Sequence, residues 1–161
     1  KNDKIKYLQM SMSELDKLSM KFDIVYSSLA FHYVPDFQKL ANDIYNLLNT
    51  GGYLLFSQEH PIVTATFDGK QHYNKDENGN YASFTFSNYN QPGERDTFWY
   101  VDGVKKYHRT FSNIISALCR VGFVIDTICE PLPIENATDF IPNILEKELI
   151  KPTFLIVKAS K

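Results

Sequence analysis

The sequence predicts an open α/β fold built on a largely parallel sheet. Three observations carry that expectation: a strand, helix, strand unit over Phe22–Pro61, a second helix and strand from Thr110 to Cys129, and a closing apolar strand, Phe154–Lys158. The alternation of short apolar runs with amphipathic helical stretches is what a covered sheet requires.

Lys4–Met10 reads as a strand, and MSMSELDKL as a polar turn with a short helical piece. Phe22–Ser28, with Ile24, Val25 and Tyr26, is a continuous apolar run suited to a parallel strand covered on both faces. Asp36 is an N-cap residue, and Phe37, Leu40, Ala41, Ile44, Leu47 and Leu48 follow at three- and four-residue spacing, so one helical face must be buried. Asn49, Thr50, Gly51 and Gly52 are read as the helix stop, and Tyr53–Ser57 as the next strand. A crossover of this kind is right-handed and makes its strands parallel. The polar clusters SSLAFHY and SQEHP then share one sheet edge, where Ser28, His32, Tyr33, Glu59 and His60 converge.

Thr64–Lys106 differs in character. It is rich in Tyr, Phe, Asn and Gly, carries turn signals at DGK, ENGN, QPGE and DGV, and contains the alternating segments YASFTF and TFWYV. It is read as a β-hairpin cap inserted over the ligand edge, at about 64–108, within a single domain spanning 1–161. Phe84, Phe86, Tyr89, Phe98, Trp99 and Tyr100 need burial there. Thr110 or Ser112 then caps a helix with Phe111, Ile114, Ile115, Leu118 and Val121, ended by Gly122. Phe123–Cys129 is a strand, EPLPIENATDFIPNILEKELIKP a proline-punctuated connection with a short helix near Asn143–Leu149, and Phe154–Lys158 the last strand.

Composition narrows the function. The 161 residues are 43% hydrophobic and 22% charged, with a net charge of −2 and no long basic run, which disfavours nucleic acid and anionic membrane as partners. A small or neutral ligand fits better. Cys119 and Cys129 form no CxxC pair, and neither a signal peptide nor an apolar span of ~18 residues is apparent, so a cytoplasmic protein with reduced thiols is expected. Because a strand-like segment follows Lys1 almost at once, the chain reads as a C-terminal portion of a longer one.

The run FDIVYSSLAFHYVPDFQKLANDIYNLLNTGGYLLFSQEHP resembles the middle of class I S-adenosylmethionine-dependent methyltransferases, particularly small-molecule enzymes related to those of ubiquinone and menaquinone biosynthesis. MSMSEL before it, then KYHRTFSNIISALCRVGF, CEPLP and KPTFLIVKASK, match in order and spacing. The resemblance implies part of a Rossmann-like, seven-stranded sheet, with Ile5–Met10 as its third strand, Phe22–Ser28 its fourth and Tyr53–Ser57 its fifth. Phe123–Cys129 would be the sixth and Phe154–Lys158 an antiparallel seventh. The implied cofactor is S-adenosyl-L-methionine, with Met12 and Ser13 bordering the adenine and Ser28 and Leu29 beneath the methionine part. The family's glycine-rich loop after its first strand, and the acidic residue after its second, have no counterpart here. Gly51 and Gly52 end a helix and precede a strand, the reverse of the order such a loop needs. The chain as given is therefore expected to bind the cofactor weakly and to be inactive alone.

For catalysis, His32 is the candidate base, with a hydrogen-bonded structural histidine as the alternative. Glu59 and His60 either orient substrate or form a polar strand terminus held by Pro61. Tyr33 either closes over the cofactor or packs under the cap. His108 and Arg109 are candidate contacts for an anionic substrate group, or Arg109 pairs with Asp96 or Asp102. Glu130 is read as a loop carboxylate, and the histidine spacing matches no metal motif. The function expected is methyl transfer to a small-molecule acceptor, the alternative a non-enzymatic methyltransferase-like binding or structural module. The resemblance implies that the family's first strand sits beside Phe22–Ser28, so without it that strand is an open apolar sheet edge, expected to promote homodimerisation or aggregation.

Overall fold

The computed structural model describes residues 4–68, 70 and 72–161. In chain order its elements are β1 (Phe22–Ser28), α1 (Phe37–Leu47), β2 (Leu48–Glu59), the single turn α2 (Pro61–Thr64), β3 (His72–Lys75), β4 (Tyr81–Thr85), β5 (Gly93–Trp99), β6 (Val101–His108), α3 (Phe111–Val121), β7 (Val124–Cys129), α4 (Ile144–Ile150) and β8 (Phe154–Ser160). One sheet has the order β1-β2-β8-β7. β1 and β2 are parallel, while β8 runs antiparallel to both of its neighbours. Hairpins β3–β4 and β5–β6 form two separate ribbons.

The two long helices form where the spacing and caps demand them. Asp36 Oδ1 accepts the Lys39 N–H at 2.9 Å, and Thr110 Oγ1 accepts the Asn113 N–H at 3.1 Å. α1 buries Phe37, Leu40, Ala41 and Ile44, and α3 buries Ile114, Ala117 and Leu118, against Leu54, Phe56, Leu155, Val157 and Ala159 of the sheet. All five of those sheet residues are 0% exposed, so this is the core. Gly122 ends α3 with φ +106°, and a Cβ there would lie 2.9 Å from the Tyr45 hydroxyl of α1. The Tyr45 ring is itself held edge-on against Phe123 at 5.0 Å. One residue type thus satisfies both the left-handed cap and the close helix approach.

Several expectations need correction. Ile5–Met10 forms no strand: it has no ladder partner among the described residues, and Ile5, Tyr7 and Leu8 stay exposed. A strand without a neighbour leaves its backbone groups to water, so no ladder holds it. The helical piece after it is real, a 3-10 turn over Met12–Lys17 with a capping box between Ser11 and Glu14. The glycines do not stop α1. Leu48 is already extended and paired with Phe22, and Gly52 lies in β2, where a Cβ would stand 2.8 Å from the Asp23 carbonyl oxygen. β2 is accordingly longer than Tyr53–Ser57 at both ends. The hairpins expected from YASFTF and TFWYV are present, with Tyr100, at φ +61°, turning the chain between β5 and β6.

β1 is covered on one face, not two. Val25 packs toward the core, whereas Ile24 and Tyr26, with Val124 and Ile128 of β7, are exposed. In the insert, Phe86, Phe98 and Tyr100 remain exposed; the Trp99 side chain lies outside the described part. β1 is the outer strand of its sheet among the described residues. No described helix is long and apolar enough to cross a membrane, and Cys119 and Cys129 are unpaired and exposed.

Gly122→Ala is expected to lose about 3 kcal/mol, since backbone strain and a clash with Tyr45 add. Gly79→Ala, at φ +84° in open space, should lose only about 1 kcal/mol. Urea unfolding of both variants, with Tyr45→Phe restoring part of the first loss, checks the assignment; equal costs would refute it.

Candidate active site

Where β1 ends, the chain turns sharply. Leu29 adopts φ +49° and donates its N–H to the Ser57 carbonyl at 2.9 Å, which swings the following residues into a 3-10 turn, Phe31–Tyr33. Phe31 packs on Phe56 at 4.9 Å and anchors that turn, so the polar residues beside it are carried over the strand ends. The result is a cleft of about 470 Å3 lined by Ser28, Leu29, His32, Tyr33, Glu59 and Phe154. Five of these six residues belong to the set that the sequence singled out.

Glu59 is the chemical centre of the cleft. Its Oε1 accepts from Lys106 Nζ at 2.6 Å, while its Oε2 is buried and accepts no hydrogen bond. The ion pair is expensive to bury, but it fixes the carboxylate's orientation. Lys106 comes from β6 of the insert and lies 6.0 Å over the Tyr33 ring. Nothing in the local sequence marks it; the one signal is that it alternates inward with His108 along the hairpin. Behind Glu59, a cavity of about 40 Å3 is bordered by Thr66, Arg95 and Lys106, and Thr66 Oγ1 is likewise buried without a partner.

His32 is not placed as a base. Its Nδ1 accepts the Glu59 N–H at 3.3 Å, which assigns the ring proton to Nε2 and makes that nitrogen a donor. Burial, outweighing the pull of Glu59, lowers its pKa from 6.5 to about 4, so the ring is neutral at pH 7. Tyr33 packs against it at 4.3 Å between ring centres, and partial burial followed by the Glu59 charge raises the phenol's pKa.

Other predicted residues stand elsewhere. His60 caps α2, with Nδ1 accepting the Ile62 N–H at 3.2 Å and Nε2 against Glu130 at 2.9 Å, so Glu130 is a loop carboxylate that partners His60. Both ring nitrogens are engaged, and burial lowers the His60 pKa despite Glu130. His108 is equally occupied, by Thr64 Oγ1 and the Tyr89 carbonyl, each at 2.8 Å. Among the described residues Arg109 pairs with no carboxylate. Its guanidinium donates to the carbonyls of Val34, Pro35 at 3.0 Å and Tyr107 at 3.3 Å, and so clamps the turn that carries His32 and Tyr33. Asp96 pairs instead with Lys105 at 2.6 Å, and the Asp102 side chain lies outside the described part. These hydrogen bonds tie His108 and Arg109 into the framework around the cleft. Met12 packs on the core and Ser13 bonds Ser11; neither lines the cleft. Among the described residues, no group of three or more His, Cys, Asp and Glu is placed to hold a metal ion.

A family model for a methyltransferase domain matches residues 1–56. A crystal structure of an S-adenosylmethionine-dependent methyltransferase from Mesorhizobium loti superposes with a TM-score of 0.78 at 37% identity, over 91% of this chain and 67% of that one. The chain belongs to the class I S-adenosylmethionine-dependent methyltransferases. A Listeria monocytogenes protein assigned to the same methyltransferases matches with a TM-score of 0.83 at 28% identity, over 100% of this chain and 71% of that one. An uncharacterised Haemophilus influenzae protein is 35% identical over 111 residues, 69% of this chain, which spans 43% of that relative's length. In methyltransferase order, β1 and β2 are the fourth and fifth strands, β7 the sixth and β8 the antiparallel seventh, in agreement with the observed sheet. The residues present fit the amino-acid end of the cofactor: the strained Leu29 turn leaves Ser28 exposed at the cleft wall. No turn of strand, glycine loop and helix occurs among them to cradle the rest.

The buried His32 makes the protein acid-sensitive. An unfolded imidazole titrates near 6.5 and this one near 4, so between those values the unfolded chain holds the extra proton. The contribution is complete above pH 6.5 and falls by about 3 kcal/mol as the pH drops to 4. His32→Asn, which keeps an acceptor for the Glu59 N–H but does not titrate, is expected to flatten that part of the pH profile of urea midpoints. A profile as steep as the parent's would place the acid sensitivity elsewhere.

Proposed function

We propose that this chain serves transfer of a methyl group from S-adenosylmethionine to a small molecule held in the cleft over β1 and β2. The observation that carries the proposal is Glu59: one carboxylate oxygen held by Lys106, the other buried and without a donor, at the edge of a cleft of about 470 Å3. That volume suits a small molecule. When bound, the cofactor supplies an electrophilic methyl group on a sulfonium. Ser28 and Leu29 form the wall for its methionine part, and Tyr33 shields the cleft from water.

The Glu59 carboxylate accepts a hydrogen bond from the acceptor's O–H or N–H and takes that proton as the methyl group arrives. Its fixed orientation supports the alignment that methyl transfer requires. His32, donating from Nε2, orients the acceptor, and its Nδ1 ties that donor to the backbone of Glu59. Because a glycine cradle is not among these residues, the chain alone is expected to bind the cofactor weakly. A partner-binding or structural role is the second reading, supported by the bare sheet face of Ile24, Tyr26, Val124 and Ile128.

Calorimetric titration separates the two. The intact gene product is expected to bind S-adenosylmethionine saturably; no binding at millimolar cofactor would overturn the enzymatic reading and favour the second. With a panel of small phenols, alcohols and amines as acceptors, Glu59→Gln is expected to lower kcat by about 10²-fold or more while cofactor affinity stays unchanged. A variant as active as the parent would remove Glu59 from the mechanism.

A further inference from the structure

Beside the head of β8 lies a second, larger opening. It runs between hairpin β3–β4 and α4, holds about 610 Å3, and is bordered by Tyr73, Tyr81, Lys147, Glu148, Lys151 and Thr153. Its charges do not balance. Glu148 spends both carboxylate oxygens on Thr153, accepting from the N–H at 2.9 Å and from the hydroxyl. Lys151 is only 4% exposed, yet the hydrogen bond of its ammonium goes to the Thr153 hydroxyl at 3.2 Å.

The aromatic rings hold further positive charge. Lys147 Nζ lies 4.7 Å from the centre of the Tyr81 ring, and Lys75 Nζ lies 4.8 Å from the same ring. Lys151 Nζ is 5.3 Å from the Tyr73 ring and 5.0 Å from that of Phe84. None of the three lysines forms an ion pair among the described residues. Ring faces attract a cation but do not neutralise it. A buried ammonium with no ion-pair partner is costly, and burial lowers the Lys151 pKa although the charges of Glu148 and Glu59 act to raise it. Tyr73 offers no compensating phenolate, because burial pushes its hydroxyl up to about 12.

The groove also adjoins the methyl-transfer cleft. Thr153 borders the groove, and the next residue, Phe154, borders the cleft. Glu59 is near enough for its charge to act on Lys151.

We propose that this groove holds an oxyanion of the methyl acceptor, a carboxylate or phosphate carried on an aromatic body, with Lys147 and Lys151 as its cationic contacts and Tyr73 and Tyr81 as the surface for the ring. Two ammonium groups on an apolar floor suit that chemistry, since the anion supplies the missing charge and the ring covers aromatic surface. The identity of the occupant as the acceptor rests on the methyl-transfer reading; the groove's preference for an anion does not.

Benzoate, phenyl phosphate and neutral benzamide, titrated into the purified protein without cofactor, test this through the NMR signals of the lysine ammonium-bearing carbons and the tyrosine rings. Saturable binding of an anion is expected, with shifts at Lys147, Lys151 and Tyr73, and with benzamide weaker by about tenfold or more. Lys147→Gln, at a half-buried position of α4, is expected to weaken anion binding by about tenfold, and Lys151→Met by at least as much. The tighter of the two anions identifies the oxyanion. Benzamide binding as tightly as the anions, anion binding unchanged in Lys147→Gln, or no saturable anion binding would each overturn the assignment. Failure of the methyl-transfer reading shows separately, as loss of cofactor binding by the intact gene product while the anion still binds here.

Discussion

Every feature of the cleft hangs from β2, which is hydrogen-bonded along both sides, parallel to β1 and antiparallel to β8. Its inward residues Leu54 and Phe56 are the floor of the core, under α1 and α3. Since α1 returns the chain from β1 to a parallel neighbour, both strands must end at one edge. Backbone pairing thus brings Ser28 beside Ser57 and, two residues on, Glu59 beside Phe154 of β8. Side-chain chemistry only has to occupy positions that the ladder has already brought together.

Two arginines hold the rest in place by donating to backbone carbonyls. Arg95, 2% exposed, donates to the carbonyls of Ala65 and Gln91 and lies 4.0 Å from the Phe67 ring, which ties the insert to the segment that follows α2. Arg109 does the same for the turn after β1. Guanidinium suits this work because its planar fork of donors reaches several carbonyls at once. Lys106 differs from the arginines, since it spends its charge on Glu59 inside the cleft. The insert therefore completes the site while being fastened by residues that take no part in it.

Much of this was legible in the residues. Helix spacing with Asp36, Thr110 and Gly122 at the boundaries located α1 and α3 closely, because caps and periodicity are local properties. The polar cluster at the strand ends followed from the crossover rule. What misled were residues whose meaning depends on a distant partner. Ile5–Met10 has strand composition but no neighbour to pair with among the described residues. Gly51 and Gly52 look like a helix stop, yet Gly52 is required by the Asp23 carbonyl of the adjacent strand. Arg109 precedes a helix near acidic hairpin residues, and the sequence offers no sign that carbonyls from residues 34 and 35 claim it first.

By itself, then, the sequence determined the α/β class, the two long helices, the methyltransferase resemblance and the carboxyl-end location of the cleft. Each depends on short-range pattern or on a chain-reversal rule. Only the tertiary structure decided which histidine faces the cleft and in which tautomer, that Lys106 from the insert anchors Glu59, and that Lys147 and Lys151 meet Tyr73 and Tyr81 with no ion-pair partner among the described residues. Those facts depend on burial and on contacts between residues tens of positions apart. Proton placement and charge balance are set by such contacts, and no local spacing encodes them.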